Sequence, residues 1–179
     1  GGLSSRGILV KGANVIDDLA KVKQVIMDKT GTLTSGKFAV EEVLSAVDKD
    51  QLILDAAYAE HFSNHPIAQG IKEACHAEIH DEEVTDVKEI AGRGLSVKVN
   101  GEEILAGNYK LMSEKGIQCK EETSTGTLVY VAKNGVYEGC LVLRDQLKED
   151  AKEAVDTLHK EGKKCIIVSG DNQEITSSI

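Results

Sequence analysis

One carboxylate and the residues after it define the chemistry open to this chain. In Val25-Ile26-Met27-Asp28-Lys29-Thr30-Gly31-Thr32-Leu33-Thr34 an apolar run ends in an aspartate, and hydroxyl-bearing residues around one glycine follow at once. A buried parallel strand delivers a reactive side chain at its carboxyl end in this way. Asp28 reads as a nucleophile for phosphoryl transfer, which needs a carboxylate in line with phosphorus and fixed donors around three equatorial oxygens. Lys29, Thr30, Thr32 and the backbone N–H groups near Gly31 are of the right types to supply those donors. Gly31 lets the main chain turn tightly against an anion. A bare strand-ending aspartate is usually an ordinary loop residue.

A second strand end repeats the pattern. Lys163 to Val168 carries Cys165, Ile166, Ile167 and Val168, and Ser169-Gly170-Asp171-Asn172 follows. Alone, that tetrapeptide is a turn. After an apolar strand it sets Asp171 at the same crevice as Asp28, at the edge of a doubly wound sheet, with Ser169 and Gly170 to cradle phosphoryl oxygens. Mg²⁺ suits such carboxylate, carbonyl and phosphate oxygens, and offsets repulsion between Asp28 and a polyphosphate. Asp145 and Lys148 read on their own as a helix amino-terminal cap and a solvated lysine.

The elements that must position these groups follow from periodicity. A short amphipathic helix over Asn14 to Val22 feeds the nucleophile strand. Ser35-Gly36-Lys37 is turn-like, and Phe38 to Val47 reads as a strand. Helices follow over Asp50 to Phe62 and Pro66 to Ala77, the second opened by its proline. Val84 to Ile90 alternates, and Asn100-Gly101 and Asn134-Gly135 mark two hairpins, Leu95–Val99 with Glu102–Ala106 and Leu128–Lys133 with Val136–Leu143. The middle of the chain is therefore expected to be an antiparallel sheet with helices on one face. An amphipathic helix over Leu147 to Glu161, stopped by Gly162, leads back to the second apolar strand.

Composition bounds the rest. The 179 residues, 41% hydrophobic, suffice for two small domains. Net charge is −9 with scattered basic residues, which excludes a nucleic-acid footprint. Cys75, Cys119, Cys140 and Cys165 lie too far apart for a zinc knuckle or a disulfide framework, and are expected reduced. No apolar run approaches the ~18 residues of a membrane helix, and no signal-peptide pattern opens the chain, so the expectation is a soluble, cytoplasmic piece. Aromatic residues are 3% and tryptophan is absent, leaving aliphatic walls and backbone to build any adenine site. Cys75, His76 and His80 read as a solvated face and are assigned nothing.

Asp28-Lys29-Thr30-Gly31-Thr32-Leu33-Thr34 matches the phosphorylation motif of P-type ATPases letter for letter. Haloacid-dehalogenase-type phosphatases carry a second aspartate two residues after the nucleophile, where this chain has Thr30. Ser169-Gly170-Asp171 resembles the family's Thr-Gly-Asp, with serine keeping the hydroxyl, and Asp145-Gln146-Leu147-Lys148 fits its Asp-x-x-Lys beside the phosphorylation site. Glu60 five residues before His65-Pro66, then Gly92-Arg93-Gly94, then Gly107-Asn108, resemble the nucleotide-binding domain of the heavy-metal class. Gly7 to Gly12 is similar to the segment that follows the transmembrane helices.

The resemblance implies an α/β chain: a haloacid-dehalogenase-like phosphorylation domain with a parallel sheet (1–46 and 144–179), split by an inserted α+β nucleotide-binding domain (47–143). It implies ATP held by Glu60, His65, Gly92, Gly94, Gly107 and Asn108. Mg²⁺ would lie at Asp28 and Thr30, and the aspartyl phosphate at Asp28 would form with Lys29, Asp145, Lys148, Ser169, Gly170 and Asp171 around it. The parent would be a heavy-metal transporter of the plasma membrane, with this part on its cytoplasmic face and the transmembrane and actuator domains as partners. The family's downstream lysine and Gly-Asp-Gly-x-Asn-Asp stretch are absent, so the expectation is that nucleotide binding survives and phosphorylation is feeble. The alternatives are a soluble phosphatase of the same fold and a non-catalytic nucleotide-binding module.

Overall fold

The computed structural model describes residues 7–168 and the backbone of residues 176–177. In chain order its elements are α1 (Ala13–Lys21), β1 (Gln24–Asp28), β2 (Thr34–Ser45), α2 (Lys49–Ala59), α3 (Pro66–Ala74), β3 (Val84–Ile90) and β4 (Gly94–Val99). There follow β5 (Glu102–Gly107), α4 (Tyr109–Glu114), β6 (Thr127–Lys133), β7 (Val136–Leu147), α5 (Glu149–Lys160), β8 (Lys164–Val168) and β9 (Thr176–Ser177). They form two compact units that divide between Thr34 and Ser35 and between Gln146 and Leu147. The expectation from the sequence placed those divisions near 46 and 143. Beta-strand β2 begins at Thr34 and joins the larger sheet beside β7, so it belongs with the second unit; the turn expected at Ser35–Lys37 is a kink within the strand, at Gly36 with φ 75°.

In the first unit β1 and β8 pair in parallel, with Asp28 opposite Val168, and β9 runs antiparallel on β8. Helix α5 packs on β8 and buries Ala151 and Cys165. The strand that ends in Asp28 is parallel, as expected, but it is not buried. Val25 and Met27 are half-buried, whereas Ile26 is 65% exposed and Val168 of β8 47%. Alternation sends Ile26 and Asp28 to one face, and among the described residues nothing covers Ile26. Helix α1 forms where its spacing predicts, yet buries none of its residues.

The second unit is a six-stranded sheet in the order β2-β7-β6-β5-β4-β3, antiparallel from β7 to β3. Asn100-Gly101 and Asn134-Gly135 take positive φ at both residues, the type I′ geometry that matches strand twist. Side chains then divide by alternation. Val97, Ile104, Val131 and Leu141 meet Leu52, Ala56 and Ile71 of α2 and α3. On the opposite face Leu105, Tyr130 and Cys140 meet Leu111 and Met112 of α4. Helices therefore cover both faces instead of the one expected. Helix α4 escaped the sequence pattern because six residues are too few to display a period. All four cysteines are free, and no described helix is long and apolar enough to cross a membrane.

Helix α3 lies so close to β2 that a methyl group on Gly70 would stand 2.3 Å from the Phe38 carbonyl oxygen and 3.3 Å from Leu143 Cδ2. Alanine is the better helix former by about 1 kcal/mol, but here the neighbour is backbone and cannot give way cheaply. Gly70→Ala is expected to destabilise the chain by about 2 kcal/mol in urea denaturation despite its gain in helix propensity.

Candidate functional site

Asp28 ends β1 in extended conformation with its side chain exposed. The chain then turns sharply: Thr30 (φ −74°, ψ 118°) and Gly31 (φ 79°, ψ −18°) are the two central residues of a type II turn. A Cβ on Gly31 would touch nothing within 4 Å, so glycine is required there by the positive φ and not by crowding. The Gly31 N–H donates to Thr34 Oγ1 at 3.0 Å, and the Thr34 N–H donates back to the Lys29 carbonyl. Leu33 and Thr34 are buried, at 6% and 1% exposure, and they anchor the far end of the loop.

Lys148 fastens this loop to α5. Its backbone N–H donates to the Leu33 carbonyl at 2.8 Å and its ammonium to the Gly31 carbonyl at 3.0 Å. It is thus neither a purely solvated lysine nor a bystander, and it occupies the position before the first turn of α5 that was expected for Asp145. Asp145 does not cap that helix. Its carboxylate accepts the Gly36 N–H at 2.8 Å within the second unit, where Ser35 Oγ also donates to the Gln146 carbonyl at 3.0 Å. Lys29 and Thr30 are exposed beside Asp28. Ser169, Gly170 and Asp171 lie outside the described residues.

The second unit gathers the remaining candidates into two groups. Glu60 ends α2 and His65 caps α3, its Nδ1 accepting the Ile67 N–H at 3.2 Å. That acceptor role leaves Nε2 to carry the proton of the neutral ring and to donate outward. Burial pushes the Glu60 carboxyl up, against the Ser63 hydrogen bond and the neighbouring His65 and Lys72. Lys72, which the sequence did not single out, ties the connection between the two helices by donating to the Ser63 carbonyl at 2.8 Å and the His61 carbonyl at 3.3 Å. His61 in turn meets Asp81 at 2.7 Å.

The other group is built on Asn108. Its Nδ2 donates to the Gly92 carbonyl at 2.9 Å, its backbone N–H to the Arg93 carbonyl at 2.9 Å, and its Oδ1 accepts the Leu111 N–H at 3.0 Å to cap α4. Gly94 pairs with Gly107 across β4 and β5. A Cβ at Gly94 would sit 2.1 Å from the Ala106 carbonyl oxygen, and one at Gly107 2.2 Å from that of Arg93. These glycines are needed for strand packing whatever they bind. Among the described residues no hydrogen bond joins the Glu60–His65 group to the Asn108 group.

The chain belongs to the haloacid dehalogenase-like hydrolases, whose family model matches residues 22–179. It is 41% identical over 182 residues to the cadmium, zinc and cobalt-transporting ATPase of Bacillus subtilis (strain 168), covering 100% of this chain and 26% of that relative. With the zinc/cadmium/lead-transporting P-type ATPase of Escherichia coli (strain K12) it shares 35% over 180 residues, 97% of this chain and 25% of the relative. Among solved structures it is similar to a zinc-transporting PIB-type ATPase in the E2.Pi state, with a TM-score of 0.75 and 31% identity over 96% of this chain and 29% of that one. The catalytic domain of the CPx-ATPase CopB-B matches with a TM-score of 0.69 and 27% identity over 96% of this chain and 63% of that one. The resemblance carried by the Asp28 motif and the Glu60 to Asn108 series agrees with these matches. The chain spans about a quarter of the length of the curated relatives.

Replacing Lys148 by methionine removes the ammonium bond but keeps the stem and the backbone bond. In Lys148→Met, amide exchange at Gly31 and Thr32 is expected to quicken about tenfold while exchange in β4 and β5 stays unchanged. Hydrogen exchange followed by NMR reads both at once.

Proposed function

We propose that this chain is the nucleotide-binding and phosphoryl-accepting part of an ATP-driven heavy-metal cation transporter, set on the cytoplasmic face of a membrane-embedded parent. The observation that carries the reading is the exposed Asp28 carboxylate at the end of a parallel strand, followed by a glycine turn fixed through Gly31, Thr34 and Lys148. An Asp28 carboxylate oxygen attacks the γ-phosphorus of ATP, the bond to the β–γ bridging oxygen breaks, and ADP leaves with that electron pair. Lys29 and Thr30 stand beside the attacking oxygen, and the fixed turn keeps its N–H groups in place without reorganisation.

Among the described residues no three His, Cys, Asp or Glu side chains gather as a metal site. A single strand-end carboxylate with backbone carbonyls suits Mg²⁺, which keeps waters and takes phosphate oxygens instead of an all-protein cage. When bound at Asp28 and Thr30, the ion would neutralise charge on the transferring phosphoryl group. Thr30 holds the place where a hydrolytic relative of this fold would need a second carboxylate as acid and base. Hydrolysis of simple phosphate esters is therefore expected to be negligible, and the aspartyl phosphate long-lived enough to drive a conformational step in the parent.

In the second unit the nucleotide would meet His65 Nε2–H, the Glu60 carboxyl and backbone bared by Gly92 and Gly94. His65 caps α3 as well, so an uninformed substitution would confuse binding with helix stability. Asparagine is a good cap but lacks the imidazole. His65→Asn is expected to weaken ATP binding about tenfold by calorimetry, as one lost charge-assisted bond requires, with melting temperature little changed. In the parent transporter, Asp28→Asn is expected to abolish acid-stable, hydroxylamine-sensitive labelling from γ-labelled ATP. Undiminished ATP affinity in His65→Asn, or persistent labelling in Asp28→Asn, would overturn the respective half of the proposal.

A further inference from the structure

The second unit holds a pair of buried carboxyl groups that neither the phosphoryl acceptor nor the nucleotide residues use. In the β6–β7 pair, Val131 lies opposite Gly139 but Ala132 opposite Tyr137, so Glu138 is one residue more than β6 can match. A bulge of this kind re-aims a side chain. The adjacent Gly139, at φ 155°, has no room for a Cβ, which would stand 2.6 Å from Leu52 Cδ2 of α2 and 2.5 Å from the Leu44 carbonyl oxygen. The kinked backbone is held by the Ala46 N–H, which donates to the Glu138 carbonyl at 2.8 Å.

The re-aimed Glu138 is 8% exposed and reaches the Asp55 carboxylate of α2, itself 1% exposed, within hydrogen-bonding range. Asp55 already accepts from Gln51 Nε2 at 2.7 Å and lies 3.5 Å from Lys133 Nζ. Lys133 is shared with Glu102 at 3.1 Å. Among the described residues Glu138 Oε2 is the buried side-chain oxygen left with no donor. One ammonium thus faces three carboxyl groups, two of them buried. An ionised carboxylate so placed, without a donor, is strongly disfavoured.

We infer that Glu138 and Asp55 form a proton-binding site in which a single proton, carried on Glu138 and donated to Asp55, fastens α2 to the bulge of β7. The proton gives the orphan oxygen its partner and removes one of two facing charges. Burial and the nearby Asp55 raise the Glu138 carboxyl to about 7, with Lys133 opposing and Glu102 reinforcing. A carboxyl raised on folding contributes stability that is complete below its unfolded value and lost as pH rises through about 7. Loss of the proton sets two carboxylates against each other between α2 and the sheet. Because α2 ends in Glu60, the same change loosens one support of the proposed nucleotide site; this last step rests on the nucleotide reading, and the proton site does not.

The test compares the chain with Glu138→Gln, whose amide can donate to Asp55 at every pH. Melting temperatures are to be followed from pH 5.5 to 8.5, so that charge effects common to both proteins cancel. The wild-type chain is expected to lose about 5 °C relative to Glu138→Gln across that range, most of it below pH 7, with the profiles running level above it. The side-chain carboxyl carbon of Glu138, followed by NMR in the wild-type chain, is expected to titrate at about pH 7, a readout that holds even if the variant folds poorly. Parallel melting profiles, or a Glu138 carboxyl that titrates in the ordinary glutamate range, would overturn the inference. ATP affinity is expected to fall about threefold from pH 6 to 8 in the wild type and to stay level in the variant. Melting as described without any ATP binding would overturn the nucleotide reading alone.

Discussion

The loop that follows Asp28 depends on a lysine that binds two carbonyls. A strand can present an aspartate, but a following loop rich in glycine and threonine has many shapes open to it. Lys148 removes that freedom from outside the loop, through one backbone bond to Leu33 and one ammonium bond to Gly31. Burial of Thr34 does the rest from within. The turn's shape is thus set by the chain's own hydrogen bonds, with the Gly31 N–H donating to Thr34 Oγ1.

The second unit shows the same economy in reverse: residues whose pattern suggests a ligand are also fully employed in the fold. Asn108 joins the Gly92 turn to the start of α4 with three hydrogen bonds. Gly94 and Gly107 allow two strand backbones to approach where any side chain would collide. His65 spends one ring nitrogen on α3 and keeps the other for solvent. Any ligand held against such groups would meet backbone that packing has already fixed, so little ordering cost would fall on binding.

What could be read in advance was what local chemistry decides. Asn100-Gly101 and Asn134-Gly135 announced their hairpins because only such residues accept positive φ twice in succession. The string from Asp28 to Thr34 announced a strand end and a turn for similar reasons. Legibility failed where a distant partner decides. Nothing local says that Asp145 will accept from Gly36, or that Lys148 and not Asp145 stands before α5. Nothing local places the bulge at Glu138, which exists because β6 and β7 slip by one residue. Helix α4 was hidden by its brevity and by an asparagine whose pattern suggested another use. The exposure of Ile26 was equally unreadable, since an apolar strand looks the same whether one face is covered or two.

The parallel pairing of β1 with β8 joins Gln24 to Lys164 and Asp28 to Val168, across the whole of the second unit. Loop-closure entropy falls on that contact before it returns any stabilisation, whereas the hairpins of Ser35–Gln146 close locally. On the ribosome the acceptor strand therefore emerges early and waits. A parallel pair whose strands stand on either side of an inserted lobe is the slowest kind of contact for a chain to form, and hairpins such as those of the second unit are among the quickest.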